Sequence, residues 1–217
     1  MYPKGCFSGN YQPDTSYPKD FNNIIALEFG APQSPTRPGR VNLAIADYLI
    51  ANVVNPKLHQ TLFVSQSIAD ALSLRKLYSD HYLSIVIVNP GSSQFFGNSQ
   101  SATGERYDSY EHISNVATIL QQRQNNFRQT SHSKSREWAK HQTAGPITSN
   151  ACLVVTAAHL AGRCQQQAQR LGLKVRLPHG LPKAFDPESP QIWCRHPITW
   201  ILREILAIPY LYLIHRL

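Results

Sequence analysis

The residues best suited to bind a ligand or to transfer protons lie in one short stretch, from Thr156 to Arg163. This stretch contains His159 and directly follows the apolar run Ala-Cys-Leu-Val-Val at 151–155. A guanidinium binds carboxylate or phosphate oxygens through paired hydrogen bonds, and a histidine can exchange protons near neutral pH. The stretch therefore predicts an anion site in which Thr156 and Arg163 bind the ligand. His159 is a candidate catalytic acid or base there.

Five further polar residues are predicted to stand at a strand end or at the start of the next helix: Arg40, Ser65, Asp70, Ser109 and Glu111. Arg40 is a second candidate for clamping the anion, and Glu111 is a second catalytic acid or base candidate. Ser65, Asp70 and Ser109 are candidate ligand-binding residues. Each has a structural alternative, because Ser and Glu favour helix N-termini and a loop arginine is usually solvated. Convergence of the whole set on one edge favours a site.

Alternating strands and helices are expected to position these residues. Mostly apolar runs at 23–28, 61–65, 83–88 and 151–156 predict buried strands, and segments with helical spacing follow them. A further short strand is predicted at 174–177. Strands without polar alternation favour a mainly parallel sheet that is covered on both faces. We therefore predict a doubly wound, Rossmann-like α/β fold, in which ligands bind beyond the carboxyl ends of the strands.

The chain length of 217 residues indicates a single domain over 23–217, preceded by an irregular leader at 1–22. Residues 124–149 are rich in Gln, Asn, Ser and Arg, so we predict a flexible insertion there. No G-x-G-x-x-G, Walker or G-x-S-x-G pattern occurs in the sequence. The four cysteines lack metal-ligand spacing, so no metal site is predicted.

The net charge of +8 favours an anionic partner. The charge is spread along the chain and its densest cluster falls in the predicted insertion, which favours a small anionic ligand over nucleic acid. Unpaired cysteines and the lack of a signal-peptide pattern predict a reducing, cytoplasmic location.

A closing helix from Ile198 is predicted to pack its apolar face on the domain or an equivalent apolar surface; that face includes Ile201, Leu202, Ile205 and Ile208. Arg203, Glu204 and Pro209 argue against a membrane span. Peripheral contact with the inner face of the membrane through this helix is the alternative.

Four segments in the same order resemble the DUF218 domain family, the YdcF/SanA/ElyC-like proteins. They are the strand and turn at 23–30 with Arg40 and its helix, Leu-Phe-Val-Ser with Ala-Asp-Ala at 62–71, Asp-Ser-Tyr-Glu-His at 108–112, and Val-Thr through Arg-Leu-Gly at 155–172. The closing helix also resembles the family's last helix. The resemblance implies a Rossmann-like domain that binds a small anionic or nucleotide-like ligand, with S-adenosylmethionine as a candidate cofactor and a phosphate-bearing envelope precursor as a candidate ligand.

The chain departs from the family pattern at several chemically important positions. Only Gly30 remains of the glycine-rich turn, Gln66 and Ser67 replace a Gly-Gly pair, and His159 stands one position earlier than the family histidine. Glycines allow a phosphate to approach the backbone closely, so their loss affects ligand binding. A non-catalytic binding or scaffolding protein is therefore the alternative function, and the sequence leaves open whether the protein is an enzyme.

Overall fold

The computed structural model describes residues 21–30, 38–88, 109–133 and 151–213. The five strands of these residues form one parallel sheet: β1 Asn23–Ala26, β2 Gln60–Val64, β3 Leu83–Ile87, β4 Ala151–Val155 and β5 Lys174–Arg176. Their order across the sheet is β3-β2-β1-β4-β5. The predicted α/β fold with a Rossmann-like parallel sheet is thus confirmed, and each predicted strand lies within two residues of an observed one.

Helices connect and flank these strands: α1 Arg40–Tyr48, α2 Gln66–Leu74, α3 Ser109–Ser133, α4 Ala158–Arg170 and α5 Pro197–Leu213. The chain leaves β1 towards β2 and β3, then returns to β4 on the other side of β1. With right-handed connections, this path places the α1–α2 pair and the α3–α4 pair on opposite faces of the sheet. The topological switch point therefore lies between β1 and β4.

The central strand β1 lies in the middle of the hydrophobic core. Ile24 pairs with Leu62 of β2 on one side and with Leu153 of β4 on the other, and all three side chains are buried. Since both faces of the sheet are covered, strand residues of either orientation bury apolar surface. This explains why the central strands β1 and β4 are almost continuously apolar.

Helix α3 begins at Ser109, as its sequence predicts, and continues to Ser133. It therefore extends beyond residue 124, where the flexible insertion is predicted to begin. Residues 134–149 and most of the leader, 1–20, lie outside the described residues. Within the described ranges, no helix has the length and apolar character needed to cross a membrane.

Helix α5 has the predicted extent but the opposite orientation. Leu202 and Ile205 are 58% and 59% exposed, whereas Trp200 and Glu204 are buried. The face with Leu202 and Ile205 therefore does not pack on the domain, and its packing on an equivalent apolar surface stays a prediction. The inward face is instead held by an ion pair from Glu204 and by aromatic contacts of Trp200, which hydrophobic periodicity cannot detect.

Candidate functional site

The carboxyl ends of β1 and β4 meet at the switch point, where the Leu27 amide donates a 2.9 Å hydrogen bond to the Val155 carbonyl. Beyond this bond the two strands lead into different turns. The β1–α1 turn begins with Glu28, Phe29 and Gly30, whereas β4 passes through Thr156 directly into α4.

Three of the predicted site residues follow one another along the chain on the β4–α4 side. Thr156 Oγ1, His159 Nε2 and Arg163 Nε are buried atoms that have no hydrogen-bond partner among the described residues. His159 and Arg163 are four positions apart in α4, so they lie one above the other on the same helix face. Arg163 Nε–H is always a donor, and Thr156 and one tautomer of His159 can also donate. The arrangement therefore offers buried donors to an acceptor.

Aromatic rings surround the His159 imidazole. It stacks on Phe185 at a centroid distance of 4.5 Å and meets the ring edges of Phe29 at 4.2 Å and Trp200 at 5.0 Å. Burial, with a smaller effect of the Arg163 charge, lowers the pKa of His159 to about 4. The imidazole is therefore uncharged at neutral pH. In this state one ring nitrogen can donate a hydrogen bond, but the ring holds no additional proton that it could release as an acid.

Helix α5 provides the counter-ion of Arg163. Arg163 Nη1 lies 2.8 Å and 3.1 Å from the two carboxylate oxygens of Glu204, and Arg203 Nη1 lies 2.6 Å from Glu204 Oε1. Both guanidinium groups also lie over the Trp200 ring. Burial lowers the pKa of Arg203, and the neighbouring Arg163 charge lowers it further. Two arginines share one carboxylate, so this cluster keeps a net positive charge beside His159.

The β1–α1 turn is closed by the chain's own C-terminal segment. Gly30 has a φ of +80°, and a Cβ there would lie 3.3 Å from Ser189 Oγ. The Arg40 amide, at the N-terminus of α1, donates a 3.0 Å hydrogen bond to Asp186 Oδ2. Asp186 thus occupies the place where a Rossmann-like domain commonly receives a phosphate. The Arg40 side chain is exposed, and a clamp shared by Arg40 and Arg163 remains a prediction.

A second polar group forms at the ends of β1 and β2. Burial raises the pKa of Glu28 to about 7; a hydrogen bond from Ser65 opposes this effect and the Asp70 charge adds to it. Ser65 also caps α2 by accepting from the Ile68 amide at 3.4 Å, while Asp70 accepts from Gln66 at 2.7 Å. The structure therefore brings Ser65 and Asp70 together around Glu28.

The remaining predicted residues lie on α3. The Ser109 hydroxyl donates a 3.0 Å hydrogen bond to Gln167 Oε1 of α4, so it joins two packed helices. Glu111 is half-buried in the first turn of α3. The known contacts of Ser109 support its structural alternative more directly than a role in ligand binding.

Sequence reasoning missed four residues that shape the site: Glu28, Phe185, Asp186 and Glu204. Glu28 had a usable signal, because it is an acid at the end of an otherwise apolar strand. Asp186 and Glu204 had none, since they meet partners 146 and 41 positions away.

Comparison with known proteins adds no further assignment. No protein-family model matches the chain, and no curated protein or solved structure matches it. Among the described residues, no group of three or more His, Cys, Asp or Glu side chains could hold a metal ion. A functional hypothesis therefore depends on the geometry of the switch point.

Proposed function

We propose that the protein binds a small anionic ligand on the β4–α4 side of the switch point. Thr156, His159 and Arg163 would donate hydrogen bonds to its anionic group. The observation that supports this most directly is that all three keep a buried polar atom without a partner in the described residues. Leaving such an atom unpaired costs about 1–3 kcal/mol, and an anion with several acceptor oxygens would remove that cost.

The charges around these atoms also favour an anion. Glu204 neutralises only one of the two arginines that contact it, and His159 adds no opposing charge. The atoms lie near the N-terminal end of α4, where the helix dipole attracts negative charge. A carboxylate or a phosphate group satisfies both the geometry and the charge.

The resemblance to the DUF218 family suggests which molecules should carry that group. It favours a nucleotide-like ligand, and we include S-adenosylmethionine, which carries a carboxylate, and a phosphate-bearing envelope precursor among the candidates. His159 and Glu111 stay the candidates for acid–base chemistry. The lowered pKa of His159 favours a binding role over proton transfer at neutral pH.

A scaffolding protein without a ligand is the second candidate. The contact of Asp186 with the N-terminus of α1 favours it, because that helix end already has an anion from its own chain. The two functions differ in what they predict at α4, because only the ligand-binding function predicts a bound anion there.

Binding can be tested by thermal shift and calorimetry with inorganic phosphate, adenosine nucleotides, S-adenosylmethionine and isoprenyl phosphates. A ligand at about a hundred times its Kd should stabilise the fold by about 2.7 kcal/mol. Thr156→Val and His159→Phe keep the shape of each side chain and remove its donor. We expect each to weaken binding about tenfold or more, since the lost bond is to a charged group.

Thr118→Val is the matched control, because Thr118 is exposed on α3 and its hydroxyl donates to the Ser114 carbonyl of the same helix. His59→Phe serves the same purpose for an exposed histidine. If no compound in the panel stabilises the protein, the scaffolding function is favoured. Binding that Thr156→Val and His159→Phe leave unchanged would contradict the proposed site.

A further inference from the structure

Helix α5 exposes an apolar stripe along its whole length. The stripe, called the α5 face below, consists of Ile198, Ile201, Leu202, Ile205, Leu206, Tyr210 and Leu213. These residues recur every three or four positions, so they lie on one side of the helix. Leu206 and Leu213 are 77% and 78% exposed. An apolar surface of this extent marks an interaction site, since soluble helices usually turn such a face inward.

The charged residues of α5 lie on its other side. Glu204 is buried between Arg163 and Arg203, and these contacts fix the rotation of the helix on the domain. Trp200 is buried on the same side against Phe29 and the His159 ring. The outward position of the α5 face is therefore imposed by specific contacts of the inward face.

The charge near the α5 face complements a negatively charged surface. Residues 189–217 contain a single acidic residue, Glu204, and it is buried. Arg195 and His196 are exposed directly before the helix, and the whole chain has a net charge of +8. No exposed carboxylate in the described part of this segment would repel an anionic lipid headgroup.

The composition of the α5 face favours lipid over protein. Its polar side-chain group is the Tyr210 hydroxyl, whereas protein interfaces carry about one hydrogen bond per 100–200 Å². Trp193 is partly exposed just before the helix and Tyr210 is exposed near its end. Tryptophan and tyrosine are typical of the boundary between acyl chains and headgroups. Pro209 is compatible with a helix that lies along a surface.

We infer that α5 docks the protein on an anionic bilayer surface. The helix lies in the plane of the interface, with the α5 face among the upper acyl chains and its inward face still packed on the domain. Aliphatic burial provides the affinity, and Arg195 with the overall positive charge provides the preference for anionic lipid.

The test is co-sedimentation of the full chain with vesicles of phosphatidylcholine and phosphatidylglycerol, beside vesicles of phosphatidylcholine alone. We expect binding to the mixed vesicles, weaker binding to the neutral ones, and partial release by salt. The double variant Leu202→Gln/Leu206→Gln should reduce binding about a hundredfold, since two large aliphatic side chains no longer enter the bilayer.

Leu74→Gln is the matched control, because Leu74 is an exposed leucine on α2 and is 59% exposed, as Leu202 is 58% exposed. It should bind vesicles like the unchanged protein. Circular dichroism checks that all variants stay folded, which is expected because the substituted side chains are exposed. The inference is overturned if the unchanged protein ignores anionic vesicles, or if the double variant binds as well as the control. It is also overturned if the α5 face is buried in a dimer that does not bind lipid.

Discussion

The two turns that flank the switch point occupy equivalent positions, yet the chain treats them differently. In the β1–α1 turn, Gly30 makes room for Ser189, and the Arg40 amide receives the Asp186 carboxylate. At the β4–α4 end, Thr156 and Arg163 keep buried polar atoms without a hydrogen-bond partner among the described residues. The polar groups of the first turn have partners from the chain itself, whereas the second keeps donors without a partner among the described residues.

This difference shows that the fold alone does not determine which helix end receives a ligand. Both α1 and α4 start at the carboxyl edge of the sheet, where anions commonly bind. Here the segment around Asp186 and Ser189 covers the first turn, so the donors that could bind a ligand lie at the second. The two turns nevertheless remain in contact, because the Phe29 ring of the first meets the His159 ring at the start of α4 at a centroid distance of 4.2 Å.

The largest effect should come from Glu204→Gln, which removes the counter-ion of Arg163 and Arg203. Breaking a buried ion pair costs about 3–5 kcal/mol, and here the largely buried Arg163 and the partly exposed Arg203 are left side by side. Chemical denaturation should report this loss. Added sulfate should restore more stability to the variant than to the unchanged protein, because an anion can replace the carboxylate. Glu188→Gln, at an exposed acid, is the control, and a loss for Glu204→Gln as small as the control's would contradict the expectation.

Glu28→Gln tests the β1 end through its pH dependence. The folded protein holds the Glu28 proton up to a pKa of about 7, whereas the ordinary value is 4.5. Between these values the unfolded chain loses the proton first, so the contribution of Glu28 to stability falls as the pH rises from 4.5 to 7. Glutamine removes this decline. The variant should gain up to about 3 kcal/mol relative to the unchanged protein on going from pH 4.5 to pH 8. If the difference in unfolding free energy between the variant and the unchanged protein is the same at both pH values, Glu28 is not held in a buried, protonated state.

A pair of glycine substitutions compares the β1–α1 turn with the open face of α4. Gly30→Ala should destabilise the fold by about 1–3 kcal/mol, because alanine disfavours a positive φ and its Cβ would approach Ser189. Gly162→Ala lies in α4, where an added Cβ meets nothing within 4 Å. It should stabilise the helix by about 1 kcal/mol. If the β1–α1 turn is closed, Gly30→Ala should lower the Tm and Gly162→Ala should raise it. A Tm that Gly30→Ala leaves unchanged would show that the β1–α1 turn is open.

The smallest effect should come from Thr156→Val without ligand. Removing a buried, unpaired hydroxyl should leave stability unchanged or raise it by up to about 1 kcal/mol. Ser65→Ala removes a hydroxyl that caps α2, so it should lower stability by about 1 kcal/mol. Equal losses for both variants in urea unfolding would indicate that Thr156 has a partner within the protein.

The sheet was predictable because its information is local. Runs such as Ile24 to Leu27 and Leu153 to Val155 are apolar throughout, and a strand with two covered faces requires this pattern. The position of the β4–α4 residues was predictable for the same reason, since Thr156 had to follow the strand and His159 had to enter the helix.

The contacts made by the C-terminal segment were not predictable, because they join distant parts of the chain. Periodicity identifies an apolar stripe on α5, and the usual assumption turns that stripe inward. The ion pair of Glu204 and the ring contacts of Trp200 reverse the orientation. The occupation of the α1 N-terminus by Asp186 depends likewise on a segment 146 positions away.

The central position of β1 also has a consequence for synthesis on the ribosome. One neighbour pairs Asn23 with Thr61, but the other pairs Asn23 with Cys152, about 90 residues later. At usual elongation rates, β1 waits on the order of ten seconds between the arrival of its two neighbours. During that interval its second edge presents free amide and carbonyl groups, the kind of template on which other strands pair wrongly. The nascent chain should therefore need shielding most while residues between β2 and β4 are being added.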